Sequence, residues 1–277
     1  MGKVHEIITK EISERLKKNG LFWRKGWTTK KVNYVSKNNY RGINLILLDR
    51  AGEYLTWNQI QKKGGKVKKG SKSRKVIFYK ILEKEQENGE TKEIPMVRYY
   101  RVFHISDVEG IESKILNENE EKQDAEEIID NYKGCPEIIH EDREQPSYNF
   151  GTDTIKMPHR EQFQSPQAYY LALFHEMVHS TGAKHREDRG LLGITANLDK
   201  YGQEELVAEI GAAMLGSLVG MDTDENLDNS AAYVKAWIEK IQGDPKMIFR
   251  ASSQAQKALD HITGKKQKEK KQKESAA

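Results

Sequence analysis

Between Ser165 and Ser180 the chain carries His175-Glu176-Met177-Val178-His179 inside an apolar stretch, and this segment reads as a helix. Ser165-Pro166 is an N-cap followed by proline at the first helical position, and Gly182 stands where a helix stop belongs. Tyr170, Leu171, Phe174, Met177 and Val178 form a stripe at 3–4 spacing that would bury one side. Residues four apart on a helix differ by about 400° of rotation and one turn of rise, so both imidazoles leave the same face. That geometry suits two nitrogen ligands on one zinc ion, with Glu176 beside the first ligand and within reach of a metal-bound water. A core helix with two polar residues at its margin would not account for a glutamate within so apolar a stretch.

A second helix is predicted over Gln203–Leu215, where Glu205 and Glu209 share a face. A like-charge pair at this spacing is mildly unfavourable on an isolated helix, and a bound cation would offset the repulsion. The pair resembles the E-x-x-x-D or E-x-x-x-E of zinc peptidases whose third ligand is a glutamate. That resemblance implies Glu205 on the metal and Glu209 bracing a ligand histidine, with Glu204 and Glu209 as rival ligands. The expected cofactor is Zn2+, other divalent metals suiting the same donors. The chemistry implied is hydrolysis by a water whose pKa zinc lowers to about 7, with Glu176 as catalytic base. His185, Tyr201 and Arg186 are the candidates for stabilising the oxyanion. Upstream, Pro146–Phe150 and Asp153–Pro158 read as two short strands around Gly151-Thr152. In zincins a strand edge beside the active-site helix holds an extended peptide, a role expected here of Thr154-Ile155-Lys156.

Charge divides the chain. Residues 1–110 hold 25 Lys+Arg against 12 Asp+Glu, net +13, whereas residues 111–264 hold 15 against 28, net −13. The overall charge of +4 therefore conceals a basic half and an acidic half, the mark of an electrostatic nucleic-acid footprint on one domain only. The boundaries read from this are a basic domain over 1–112, an acidic linker and helix start over 113–130, a second domain over 131–264 and a disordered basic tail over 265–277. Cys135 is the single cysteine; it excludes an intramolecular disulfide and fits a reducing compartment. The amphipathic N-terminal pattern is no signal peptide, and no apolar run approaches the ~20 residues of a membrane span. A cytoplasmic protein without a membrane partner is expected.

The basic half reads as α+β: an amphipathic helix over roughly 3–18, a short helix after Thr56, and strands at Lys75–Ile81 and Met96–Phe103 joined as a long hairpin. Aromatic and basic residues interleave at Trp23, Lys25 and Trp27 and again at Tyr40, Arg41 and Asn44; Trp57 follows, then a glycine-rich loop with Lys66, Lys68, Lys69 and Lys72. Rings that stack on unpaired bases, set among cations that track phosphates, make a sequence-tolerant platform for single-stranded DNA. The competing reading makes the tryptophans core and the lysines a solvated face.

With both halves in view, the chain resembles ArdC-type antirestriction proteins, a plasmid- and phage-associated family. The matching segments are Tyr40–Asn44, Tyr54–Gln59, Gly65–Gly70, Tyr100–Phe103, His175–His179 and Glu204–Glu209, in the family's order and spanning about residues 4 to 262. The resemblance implies an α+β chain of two domains: a basic α+β single-stranded-DNA-binding domain and a mainly helical zincin-like metallopeptidase domain with a small sheet. It also implies protection of incoming mobile DNA, with a host protein such as a restriction-related one as candidate substrate. The alternative is a non-catalytic protein that coats single strands and keeps a structural or vestigial metal site. Retention of Glu176 favours catalysis, because a structural site needs ligands but no base.

Overall fold

A computed structural model describes residues 3–20, 31–85, 91–113, 124–191, 198–221 and 231–265. Trp23, Lys25, Trp27, most of the acidic linker and the basic tail lie outside the described residues. The chain divides into two compact units, Met1–Ile12 with Lys30–Asn119 and Ser13–Thr29 with Glu120–Ala277. The first helix, α1 (Lys3–Asn19), is shared between them, and it buries Ile8, Ile12 and Leu16 at the four-residue spacing that the sequence sets out.

In the first unit, four strands form a sheet in the order β1-β2-β5-β4: β1 (Lys31–Asn33), β2 (Gly52–Thr56), β4 (Arg74–Glu85) and β5 (Thr91–His104). β1 runs parallel to β2, and the other pairs are antiparallel. Successive strand residues face opposite ways, so neighbours on β2 and β5 seed a core on each face. Tyr54 and Val102 pack with Leu48 and Val76, while Leu55 packs with Tyr34, Ile60, Ile105 and Val108 and has Phe103 against it. Between the strands lie α2 (Ile43–Leu47), α3 (Trp57–Lys62) and β3 (Lys66–Val67), the last pairing with β6 (Val108–Glu109). Thr56 and Gln59 close a capping box at the start of α3. The hairpin of β4 and β5 is longer than the hydrophobic runs suggested, with paired residues from Arg74↔Val102 to Glu85↔Thr91.

The second unit is mainly helical: α4 (Ala125–Asn131), α5 (Pro166–Ser180), α6 (Leu198–Leu218), α7 (Ala231–Gly243) and α8 (Met247–Ile262). Its three-stranded sheet has the order β7-β9-β8, from β7 (Glu137–His140), β8 (Ser147–Asn149) and β9 (Thr154–Met157). β8 and β9 form the expected antiparallel pair, but β7 runs parallel along the far side of β9. Thr154-Ile155-Lys156 is therefore the centre of the sheet, its backbone groups taken from both sides. It is not the edge strand expected; the edges of this sheet are β7 and β8.

α5 packs on β8, β9, α6 and α8, and Phe174, Met177 and Val178 are fully buried. α6 is apolar nearly all round, burying Leu206, Ala208, Ile210 and Leu215 completely, as a central helix must. At the crossing of α5 and α6, a Cβ on Gly211 would stand 2.7 Å from Val178 Cγ2. The absent side chain allows the close approach that carries the carboxylates of α6 to the histidines of α5.

Candidate metal centre and basic surface

α5 starts as its sequence directs: the Ser165 side chain accepts from Ala168 N, and Pro166 occupies the first turn. From there His175 and His179 project from one face with their Nε2 atoms 3.0 Å apart. Glu205 of α6 meets both: Oε2 lies 3.5 Å from His175 Nε2 and Oε1 lies 3.5 Å from His179 Nε2. These three residues form a cluster of converging donors. One donor atom from each lies within 4.8 Å of the others, a spacing that small side-chain adjustments bring to the separation of about 3.3–3.6 Å between ligand atoms of a tetrahedral ion with bonds of about 2.0–2.2 Å. Two imidazoles and one carboxylate also match the donor set of a hydrolytic zinc site that keeps an open position. The residues fit a divalent metal.

Electrostatics point the same way. Burial by itself would lower the pKa of His179, but the carboxylates of Glu204 and Glu205 outweigh it and push it up to about 10. Burial would raise Glu205, but the two histidines hold its carboxyl far below the usual carboxylate range. A metal that takes these donors displaces the protons they carry.

The other nitrogen of His179 meets Glu204. Its Oε1 lies 3.1 Å from His179 Nδ1, leaving Nε2 turned towards Glu205. Arg189 clamps the same carboxylate at both oxygens, at 2.6 and 2.9 Å, and donates to Val178 O and Thr181 Oγ1 at the end of α5. Arg189 and Glu204 are both almost wholly buried. Gly182, expected as a helix stop, serves this return of the chain: a Cβ there would stand 2.1 Å from Leu191 Cδ1 and 2.8 Å from an Arg189 guanidinium nitrogen. Glu209, the residue expected to brace a ligand histidine, lies one turn along α6 from Glu205 in the wall of the cavity. The Arg189 clamp had no signal in the sequence, where Lys184–Arg189 looks like a solvated charged loop.

The cluster opens into a cavity of about 570 Å³ lined by Tyr148, Phe150, Leu171, Ala172, Ala212 and Ala213 among others. Glu176 is buried in its wall, and β8, an edge of the sheet, contributes Ser147 and Tyr148 to the same wall. Of the three oxyanion candidates, Tyr201 lines this cavity. Burial and the nearby charge of Glu205 push its phenol up to about 12, so at neutral pH it keeps its proton and donates. Arg186 is committed elsewhere, with both terminal nitrogens on Asp153 at 2.8 Å and further bonds to Gly134 O and Ser180 O. His185 lies 3.3 Å from the same aspartate.

In the first unit, the residues expected at a DNA surface separate into two groups. Asn44 is spent on the fold: its amide donates to Ile77 O and accepts from Ile77 N along the open edge of β4. Tyr40 is half-buried, edge-on to Tyr54 and packed on the core. Trp57 is half exposed, tilted against Phe103, and Arg41, Lys66, Lys69 and Lys72 are exposed. Lys68, also exposed, donates its ammonium to Ser106 O.

A helix bearing H-E-x-x-H, a small sheet beside it and a glutamate from the following helix define the second unit as a zincin-like metallopeptidase domain. The profile of that family matches residues 123–254, and the profile of the N-terminal domain of anti-restriction factor ArdC matches residues 2–103. The chain is similar to the crystal structure of the antirestriction ArdC protein from R388 plasmid in its metal-free form. Identity is 31%, coverage is 94% of this chain and 97% of that one, and the TM-score is 0.76. The Mn(II)-bound form of that protein matches at 29% identity, 95% and 98% coverage and the same TM-score. The chain therefore belongs to the ArdC antirestriction family. It is also 30% identical to DNA primase TraC of Escherichia coli in an alignment that covers 96% of this chain and 20% of the primase, so the chain spans about a fifth of that relative's length. No described helix is long and apolar enough to cross a membrane.

Proposed function

We propose that this protein is a single-stranded-DNA-binding antirestriction factor of a mobile element, acting in the cytoplasm, whose second unit is a zinc-dependent peptidase directed at a host protein. The observation that carries the peptidase reading is the convergence of His175, His179 and Glu205 at the mouth of a cavity that also holds the buried carboxylate of Glu176. The basic first unit, with Arg41, Trp57, Lys66, Lys69 and Lys72 exposed, supports the DNA reading, as does the likeness to a stretch of a DNA primase.

His175, His179 and Glu205 would hold the cation, and a divalent metal there supplies the Lewis acidity that polarises a scissile carbonyl. The remaining work falls to side chains. Glu176 takes the proton from the attacking water on its carboxylate and passes it to the leaving amine. Tyr201 donates its phenolic hydrogen to the oxygen that becomes negative as the carbon turns tetrahedral. Glu204 and Arg189 keep His179 in one orientation, and Glu209 contributes negative charge to the cavity wall. The outer edge of β8 pairs with an extended peptide backbone, while Leu171, Ala172, Ala212 and Ala213 enclose a substrate side chain and keep water away.

The test is Glu176→Gln, which keeps the shape and removes the base. The variant should retain metal and fold while losing cleavage of a denatured host-proteome peptide mixture, read by mass spectrometry. Cleavage unchanged in the variant overturns the role of Glu176. Protection of transferred DNA that survives in the variant assigns that protection to coating by the first unit.

A further inference from the structure

Beyond Val102 the hairpin of β4 and β5 leaves the body of the first unit: β2 pairs with β5 only over Val102–His104, so from Arg101 onward β5 has β4 alone as its described neighbour. Along one face of this ribbon stand Val76, Phe78 and Lys80 of β4 opposite Tyr100, Arg98 and Met96 of β5. The face passes from core to solvent along its length. Val76 is buried, while Phe78 and Tyr100 are each 44% exposed, and Lys80 and Arg98 are exposed. The rings of Phe78 and Tyr100 lie 6.1 Å apart and edge-on, so a planar face remains open. Phe78 and Tyr100 are two of the six large hydrophobic side chains that the described residues expose, and both stand on this face. Lys80 and Arg98 have no carboxylate partner among the described residues.

We propose that this face, Phe78 and Tyr100 between Arg98 and Lys80, is the base-stacking site for single-stranded DNA, in place of Tyr40 and Asn44, whose side chains are committed to the fold. The proposal rests on the reading that the first unit binds single strands, and it locates that function on named residues. Two rings side by side with two cations that lack a carboxylate partner among the described residues fit an unpaired base with its flanking phosphates, since the rings offer a surface to any base and the cations track the backbone. A second protein strand added at the edge of β5 fits less well. Pro95 lies in that strand and has no amide hydrogen to donate, a feature that protects sheet edges from pairing.

The experiment measures anisotropy of fluorescein-labelled oligothymidylate with the full chain over a range of salt concentrations, beside a duplex hairpin of equal length. Phe78→Ala and Tyr100→Ala should each weaken binding about fivefold to 100-fold, as removal of a stacking ring does, with the salt slope unchanged. Phe78→Trp should restore affinity. Lys80→Gln with Arg98→Gln should instead flatten the slope by about 1.4, at about 0.7 for each phosphate of a single strand left without its cation. All four positions are exposed, and matching circular dichroism spectra confirm that the variants fold. Equal affinity of wild type and the Phe78→Ala/Tyr100→Ala double variant overturns the location while leaving the DNA reading intact. A wild-type chain that fails to bind the oligothymidylate overturns that reading and the proposal with it. Preference for the duplex, or a ring variant that alters sedimentation and not DNA affinity, overturns the stacking role.

Discussion

Gly211 is the position at which the metal site depends most directly on an absent side chain. In Gly211→Ala the new Cβ would stand 2.7 and 2.9 Å from the two γ carbons of Val178, against about 3.5–4.0 Å for carbon atoms in contact. Valine on a helix is held to one χ1 rotamer, and both methyls face the contact, so side-chain rotation offers no escape. Helices α5 and α6 must part by several tenths of an ångström. Overpacking of this kind costs about 1–3 kcal/mol, offset by about 1 kcal/mol of helix propensity when glycine becomes alanine. The single variant should therefore lose up to about 2 kcal/mol. It should also bind metal more weakly, because the histidines and Glu205 lie on the two helices being separated. Val178→Ala removes the obstructing methyls at a cost of about 2 kcal/mol for the apolar burial they supply. In that background the nearest remaining atom is the β carbon, at 3.4 Å. Gly211→Ala should there become stabilising by about 1 kcal/mol and leave metal affinity unchanged. Urea unfolding of the four proteins, followed by circular dichroism with metal titrations alongside, reads the coupling. Equal effects of Gly211→Ala in both backgrounds would refute the argument that close approach of the helices assembles the site.

Arg189→Ala should destabilise the second unit by about 3–5 kcal/mol, because it leaves the charge of Glu204 buried without its partner; a loss under about 1 kcal/mol in thermal or urea unfolding would remove the clamp from the account. Glu204→Gln should weaken metal binding about 10- to 100-fold by loosening His179, and calorimetric titration showing wild-type affinity would argue against Glu204 as the brace. Asp153 titrates below its ordinary value because Arg186 holds it ionised, so its stabilising contribution is present above the unfolded pKa of about 3.9 and is lost as pH falls through the lower folded value. Asp153→Asn should accordingly flatten the acid limb of the unfolding curve, and an unaltered limb contradicts the pairing. Burial pushes the Cys135 thiol up to about 11, so alkylation should be slow at pH 8 and climb about tenfold per pH unit above it; a plateau below pH 9 contradicts the burial.

What the sequence disclosed follows from the range over which each determinant acts. The start of α5 at Ser165-Pro166, the short helix after Thr56, and the face shared by His175 and His179 are set by residues within one turn of one another, and each is as the spacing indicates. The third member of the cluster, Glu205, was legible through the resemblance to zinc peptidases whose third ligand is a glutamate on the following helix, with Glu204 and Glu209 as rivals. The contact of Glu204 with His179 Nδ1 was not legible. It depends on how α6 is rotated against α5, and that rotation is set by Gly211 against Val178 and by Arg189 returning from a loop. β7 is hidden for a related reason: Glu137–His140 is short, and it becomes a strand by lying along β9, which changes β9 from edge to centre.

The first unit shows the opposite error, in which composition pointed to chemistry and the fold redirected it. Tyr40 and Asn44 sit beside Arg41 and look like a nucleic-acid motif, yet in three dimensions Asn44 satisfies backbone groups at the unpaired edge of β4 and Tyr40 packs edge-on to Tyr54 against the core. Phe78 and Tyr100 carry no such mark, because alternating apolar residues in two adjacent runs read as a buried hairpin. Strand alternation assigns residues to faces, but it does not say how far the covering layer extends. Here the cover ends near Val76 and Val102 while the strands continue, so the same face that builds the core at one end presents aromatic rings to solvent at the other. The length of a hairpin beyond its supporting sheet is thus the quantity that separates core aromatics from exposed ones in this chain, and it is fixed by pairing between β2 and β5, residues nearly fifty positions apart.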